Sequence, residues 1–442
     1  MKRTLKTAAR MLMFLLTVSL STVCYGESNA SVMTITEGLK IATENNHIVK
    51  IATEDMNMSS ADALIAKSRL YPSLNASASQ TFLSNQPGAH FGPQNVNTAE
   101  KSSPAFGINA YQTIYNFGAN TSRYEEFRTI ADSRKLNIDL MKNLVALNFI
   151  IAYFDVLESE KMITVAQKEV ESLESHVKVA ESLYNEGVIT KNDLLQGVVR
   201  LSDARQRLLT VKNQRSVNAS RLNNILSRKL NSEVRLEDVP LNAIAANGFT
   251  TIESAWETAE KKRIEPAIID KELRAADLEE TVKKSGYFPN FFAQAGYNYA
   301  ENRYQLHEDN WSVLFGMNIN LLSGGSTKAE VSKIRHRKQQ LLEQRNKLVD
   351  DIKIEVEKYY LDMKNAAEKI LTTKDAVSQA EENLRINRVR YEEGIGTSTD
   401  VVDAITLLTT AGTNYHRSGY EFKRAQAGLL YATGADITKE YK

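Results

Sequence analysis

The chain contains the segment YNEGVITKND at positions 184–193 and a related segment, YEEGIGTSTD, at positions 391–400. In each segment a glycine interrupts a helical pattern, and a threonine three residues later is followed by an acidic residue in capping-box spacing. Each segment therefore predicts a tight turn between two antiparallel helices. Because the segment occurs twice, the chain is expected to form two helical hairpins.

The duplication extends beyond these turns. Tyr71-Pro72 recurs as Phe288-Pro289 at an offset of 217, whereas the turn segments recur at an offset of 207. The first copy thus carries about ten more residues, which we place in one polar loop from Ser84 to Pro104. The predicted organisation is a signal peptide at 1–26, a first repeat at 27–226, a linking segment at 227–250, a second repeat at 251–434 and a tail at 435–442.

Each copy contains a long stretch without glycine or proline, Ala119 to Glu186 and Ser326 to Glu393. As continuous α-helix each would be roughly 100 Å long, far beyond an ordinary globular helix. Apolar residues step by three and four along both stretches, which predicts coiled-coil seams. The seam residues are Val170, Leu173, Val177, Ala180 and Tyr184 in one copy and Ile352, Val356, Tyr359, Met363, Ala366 and Ile370 in the other.

Four segments, at about 73–83, 106–115, 291–299 and 311–321, show the alternation of β-strands. The clearest places Trp311, Val313, Phe315, Met317, Ile319 and Leu321 on one face. Segments of about ten residues with one apolar face and aromatic ends are typical of membrane β-barrels, and the alternative is a half-buried hairpin of a soluble domain. Four strands cannot close such a barrel, so we expect an oligomer, and three copies would supply twelve strands.

The N-terminus has the layout of a secretory signal peptide, with four basic residues before the apolar stretch from Met11 to Leu20. Cleavage after Gly26 is favoured over cleavage after Ala30. Cys24 is the only cysteine, and the residues before it do not match the lipidation pattern, so a lipid anchor is the less favoured reading. We identify no later apolar run near the eighteen or so residues of a membrane-spanning helix.

The composition argues against several classes of protein. The six histidines are scattered, without a pair at helical metal-ligand spacing, and no phosphate-binding glycine loop is present. Charges are distributed along the chain instead of in basic blocks, which does not suggest a nucleic-acid partner. We therefore expect neither an enzyme nor a cofactor or metal site.

The duplicated turns, the strands that begin after a proline and the proline-free helices occur in the same order in both copies. In this arrangement the chain resembles the TolC family of outer-membrane factors from about Thr34 to Gly434. The resemblance implies a mainly α-helical protomer with a membrane portion, and a homotrimer. A twelve-stranded barrel would lie in the outer membrane of a Gram-negative bacterium and continue as a periplasmic α-helical barrel. The segment 227–250 and the C-terminus would form an equatorial region.

The resemblance also implies a function. The trimer would be the exit duct of a tripartite efflux pump or a type I secretion system and would conduct substrate passively. Its partners would be a periplasmic adaptor and an inner-membrane transporter of the RND or ABC class. The alternative is that the chain is itself a periplasmic coiled-coil adaptor, although an adaptor would normally have one hairpin and no membrane strands.

By the same resemblance the hairpin tips form the pore entrance. Asp400 and Asp403 match the aspartate rings, Tyr391 and Asp193 match a pair that holds the tips closed, and Gly187 and Gly394 mark the adaptor contact. The family's basic latch residue in this turn is often arginine, and here the position is Gly396. Simpler readings stay open: Asp400 as a helix cap, Tyr391 as a core residue, and the tip glycines as helix ends.

Overall fold

The computed structural model describes residues 32–240 and 251–441; the predicted leader with Gly26, Ala30 and Cys24, and residues 241–250 of the linking segment, lie outside the described residues. The first half contains α1 (Ile35–Asn45), α2 (His47–Ser68), β1 (Ser73–Phe82), β2 (Gly88–Phe91), β3 (Gln94–Asn97), β4 (Ser102–Tyr115), α3 (Ala119–Asn185) and α4 (Lys191–Ile225). The second half contains α5 (Ile252–Lys262), α6 (Glu265–Lys284), β5 (Asn290–Ala300), β6 (Asp309–Asn318), α7 (Ser326–Glu392), α8 (Ser398–Ala432) and α9 (Ile437–Glu440).

The two halves repeat one order of elements. Each has two shorter helices, two long strands, a helix of 67 residues and a returning helix of 35 residues. Both predicted helical hairpins are therefore present. Their seams are buried as expected, except that Tyr359 is half-buried and Tyr184, at the end of α3, is 38% exposed in the protomer.

The four long strands form one antiparallel sheet in the order β1-β4-β5-β6. The register aligns Ala76 with Ile108, Ile108 with Tyr297, and Tyr297 with Trp311. Because side chains alternate along a strand, this register places the apolar sets of all four strands on one face. On that face Trp311 and Phe315 are 78% and 79% exposed in the protomer, which suits contact with lipid.

The strand bounds differ from the sequence prediction at two places. β6 ends at Asn318, so Ile319 and Leu321 lie beyond it, and β4 begins four residues earlier than expected, at Ser102. The polar connection predicted as one loop also contains the small hairpin β2-β3, which turns at Gly92 with φ +61°. Each of its strands has four residues with a single large apolar side chain, Phe91 in β2 and Val96 in β3, so neither shows an apolar alternation that sequence reasoning could detect.

A central core joins α1, α2, α3, α4 and α8 to the C-terminal α9. Phe149 of α3 is fully buried and packs so closely on Gly38 that a Cβ there would lie 2.1 Å from the ring. The hydroxyl of Tyr153 donates to the carbonyl oxygen of Glu237 at 2.8 Å and ties the linking segment to the same core. Ile437 of α9 is also fully buried in it.

The central core also corrects the prediction that no segment after the signal peptide is apolar and long enough to span a membrane as a helix. By length and composition, α3 does contain an apolar window long enough to cross a membrane, and 56% of that window is buried inside the protomer. The apolar run from 144 to 157 supplies most of the α3 residues of the central core. Its hydrophobicity is thus accounted for by packing of helices against one another.

The strand-to-helix joints occupy equivalent positions in the two halves. Phe117 and Gly118 precede α3 with φ of +53° and +82°, and Gly324 and Gly325 precede α7 with φ of +59° and +86°. A phenylalanine with positive φ is uncommon and needs support from its surroundings. Here the ring of Phe117 stacks on Phe288 with centroids 4.6 Å apart. The joint of the first repeat is thereby held against the entry to the second repeat's strands.

Candidate functional site at the hairpin tips

Glycines form both turns at the tips. Gly187 and Gly394 end α3 and α7 with φ of +78° and +75°, a region that other residues adopt at a cost of about 1–2 kcal/mol. The amide of each following residue donates back to the helix, Val188 to the carbonyl of Leu183 and Ile395 to that of Arg390, both at 2.9 Å. A Cβ at either glycine would meet nothing within 4 Å, so the tips are open to a partner.

A capping box begins each returning helix. The Asp193 carboxylate accepts from the Thr190 amide at 3.2 Å and from its hydroxyl at 2.7 Å. Asp400 accepts from the Thr397 amide at 3.1 Å, and these bonds to Thr397 lower the pKa of its exposed carboxyl below the usual range. Asp400 therefore caps a helix, as the simpler reading held, and still presents an ionised carboxylate at the tip.

Asp403 lies three residues further along α8, which puts it on the same side of the helix as Asp400. Its side chain is exposed, whereas Val401, Val402 and Ala404 beside it are buried in the seam. The carboxylates of Asp400 and Asp403 therefore both lie on the exposed face of α8 at the tip.

Tyr391 is a core residue in this protomer, 3% exposed in the cluster that joins the two hairpins near their tips. Burial raises the pKa of its hydroxyl, and the nearby hydroxyl of Ser398 opposes that rise. Asp193 contributes charge nearby, but its carboxylate is engaged by Thr190. The two residues predicted to hold the tips together are thus close without being hydrogen-bonded to each other.

A contact that sequence reasoning did not identify lies beside Tyr391. Nε2 of His176 on α3 is 2.8 Å from Oγ of Ser398 on α8, and both residues are buried. The His176 ring also packs against Tyr391, with ring centroids 4.9 Å apart. Sequence spacing could have indicated that His176 is buried, because Glu169, Leu173, His176 and Ala180 follow one another at intervals of three and four residues and form one buried row along α3.

Gly396 fits its turn closely. Its amide donates to the Arg390 carbonyl at 2.9 Å, and a Cβ at this position would lie 3.0 Å from the Tyr391 amide nitrogen. A larger residue would require the turn to shift. The position that often carries a basic latch in the resembling family is therefore shaped for glycine in this chain.

The fold and the tip define a class of protein, a protomer that contributes strands to a membrane barrel and two helical hairpins to a tunnel. The sequence profile of the Outer membrane efflux protein family matches residues 38–228 and 269–435, which is most of the chain. The chain belongs to this family, and the resemblance to TolC-type proteins is confirmed. No curated protein sequence matches the chain.

Solved channel structures share the fold. The outer-membrane channel OprN aligns over 91% of this chain and 90% of its own, with a TM-score of 0.79 and 14% identity. For VceC of Vibrio cholerae the shares are 91% and 96%, with a TM-score of 0.77 and 14% identity. For CmeC of Campylobacter jejuni they are 92% and 88%, again with a TM-score of 0.77 and 14% identity. At these identities the likeness establishes the fold alone.

The mainly α-helical tandem-repeat protomer with its β-barrel portion is thus confirmed. The protein lies in the Gram-negative outer membrane and extends into the periplasm. Membership of the family implies a trimeric assembly and pump partners in general, and this family and its structural neighbours are channels, not enzymes. Among residues 32–240 and 251–441, no cluster of His, Cys and carboxylate side chains is arranged to hold a metal ion.

Proposed function

We propose that the protein is the passive exit duct of a tripartite efflux pump or a type I secretion system. An inner-membrane RND or ABC transporter would supply the energy, and a periplasmic adaptor would join it to the hairpin tips. Each proposed repeat, 27–226 and 251–434, would contribute one long strand pair and one helical hairpin to the tunnel.

One observation carries this proposal: within residues 32–240 and 251–441, the four-stranded sheet has a single apolar face and two edge strands, β1 and β6, each paired on one side only. An exposed sheet edge in lipid would leave backbone donors and acceptors unsatisfied, at several kcal/mol for each group. Pairing of β1 in one protomer with β6 of the next would remove every edge. Three protomers would then enclose a continuous lumen above the helices.

Conductance of the purified mature trimer in a planar lipid bilayer tests the proposal. A duct closed at its tips should give a small, stable, cation-selective current, because carboxylates at the narrow end attract cations and repel anions. Protein shown to be folded and trimeric that gives no current would contradict the duct. Recovery of the chain in the periplasmic fraction would favour the adaptor alternative.

The tip glycines provide a test of adaptor docking. Gly394→Asn and Gly187→Asn should abolish efflux or secretion in the native host while a heat-stable trimer still forms. Asparagine tolerates positive φ better than most residues, and its side chain would project into the space that a partner must approach. Complementation of a deletion strain, with trimer assayed in the same membranes, checks both expectations.

Glu393→Asn is the matched control, because Glu393 is exposed next to the turn and does not have positive φ. It should leave transport near the wild-type level. If the glycine variants lose the trimer as well as transport, Gly187 and Gly394 serve only to end helices, and the docking role is wrong.

A further inference from the structure

The end of the sheet from which the long helices leave carries exposed apolar side chains on both edges. Leu74 of β1 alternates onto the same apolar face as Ala76 and is exposed in the protomer. At the other edge, Leu321 and Leu322 follow β6 and are 87% and 89% exposed. Both edges therefore reach the periplasmic end of the sheet with apolar surface that the described part of the protomer leaves uncovered.

Basic residues border the same end of the sheet. The nine residues next to each long strand there contain five lysines and arginines and no aspartate or glutamate, in segments 64–72, 116–124, 281–289 and 319–327. Lys328 follows directly after the last segment. The connections at the opposite end differ, since Glu100, Glu301 and Glu308 lie in them. The charge of the sheet is thus asymmetric, with an excess of basic residues at the periplasmic end.

Three of these basic residues have no carboxylate partner in the protomer. Lys283 and Lys284 each pair with a glutamate, at 3.3 Å and 2.8 Å. Lys67, Arg69 and Lys328, in contrast, form no ion pair within residues 32–240 and 251–441. Arg69 and Lys328 are exposed, so their charges are available to a partner outside the protomer.

Closure of the barrel would bring these three cations together. Lys67 and Arg69 precede the edge strand β1, and Lys328 follows the other edge strand, β6. The register places the start of β1 and the end of β6 at the same end of the sheet. When β1 pairs with β6 of the next copy, like charges meet at each boundary between protomers, and their repulsion favours a bound anion.

We propose that each boundary between protomers binds an anionic phospholipid of the periplasmic leaflet, with its phosphate among Lys67, Arg69 and Lys328 of the neighbouring copy. The inference rests on the proposed closure of β1 onto β6. Lysine and arginine bind phosphate through charge-assisted hydrogen bonds, and the acyl chains would lie along the exposed leucines at the ends of the edge strands. An acidic protein would match the charge but not the apolar surface beside it.

Lipid titration followed by native mass spectrometry tests the site. The purified trimer should bind three molecules of phosphatidylglycerol more tightly than phosphatidylcholine with the same acyl chains. Lys67→Gln, Arg69→Gln and Lys328→Gln should each weaken phosphatidylglycerol binding about fivefold, the usual effect of one basic residue at an anionic membrane surface. The triple variant should weaken it by more than about fiftyfold.

Lys101→Gln is the matched control, because it removes the same charge at the opposite end of the sheet. It should bind phosphatidylglycerol as the wild type does. Glycerol 3-phosphate, which has the phosphate without acyl chains, should not displace the lipid at a comparable concentration. Displacement by glycerol 3-phosphate would identify a site for free phosphate and would overturn the lipid.

Thermal dissociation of the trimer gives a second readout with opposite signs in the two conditions. In detergent without phospholipid, the triple variant should dissociate at a higher temperature than the wild type, because the repulsion between like charges is removed. Added phosphatidylglycerol should stabilise the wild-type trimer and leave the triple variant unchanged. A role in direct contacts between protomers would instead lower the stability of the variant in both conditions.

Equal binding of phosphatidylglycerol by the wild type and the triple variant would overturn the lipid site. Equal binding for each chain by dissociated monomers would show that two copies do not share the site, and would overturn its position at the boundary. Failure of the folded wild-type chain to form a trimer would instead overturn the proposed barrel closure, and the lipid site with it.

Discussion

Phe315→Arg should abolish assembly of the trimer in the outer membrane. Phe315 is 79% exposed on the apolar face of β6 and pairs in register with Ala293 of β5. A cationic side chain on the lipid face of a barrel costs about 2–4 kcal/mol near the bilayer midplane. The trimer carries the change in every protomer, so the cost is incurred three times.

Ser312→Arg is the matched control, because Ser312 alternates with Phe315 onto the polar face of the same strand. That variant should insert and form heat-stable trimers. The measurement is the amount of trimer in outer-membrane fractions for the two variants side by side. Normal assembly of Phe315→Arg would show that this face does not meet lipid and would contradict the barrel arrangement.

Removal of the tip carboxylates should abolish cation selectivity. With threefold symmetry, Asp400 and Asp403 would place six carboxylates around the pore entrance, where a narrow channel concentrates their field. The double variant Asp400→Asn, Asp403→Asn should bring the ratio of cation to anion permeability close to unity. The reversal potential in a salt gradient across a planar bilayer measures this ratio.

The single variants separate charge from capping. Asp403 has no capping role, so Asp403→Asn should lower selectivity without affecting helix α8. Asp400→Asn keeps a side-chain oxygen that can accept from Thr397, because asparagine is also a good cap. Unchanged selectivity in the double variant, from a channel of normal conductance, would show that the two residues do not line the pore.

Local signals identified much of this fold correctly. The turn segments ending at Asp193 and Asp400 predicted two hairpins, and the capping boxes are present at both. The alternation from Trp311 to Met317 predicted the membrane strand β6. These features depend on residues adjacent in sequence, where helix capping and the alternation of side chains act within one element.

Predictions that required knowledge of neighbours were less successful. The apolar run in α3 went unrecognised because charged residues flank it, although in the structure it fills the central core with Phe149. His176 was set aside as a scattered histidine, because no sequence pattern shows that Ser398 lies 2.8 Å away. The β2-β3 hairpin was missed because its pairing depends on backbone hydrogen bonds instead of an apolar pattern.

The order of residues is enough to predict the two repeats, the long helices with their glycine turns, and the amphipathic strands. Each of these follows from the periodicity of apolar residues and from backbone preferences at single positions. The burial of Tyr391 beside His176, in contrast, follows from the way the folded chain packs the two hairpins together. Contacts of this kind join residues more than two hundred positions apart, and their energies depend on distance and burial that no local pattern specifies.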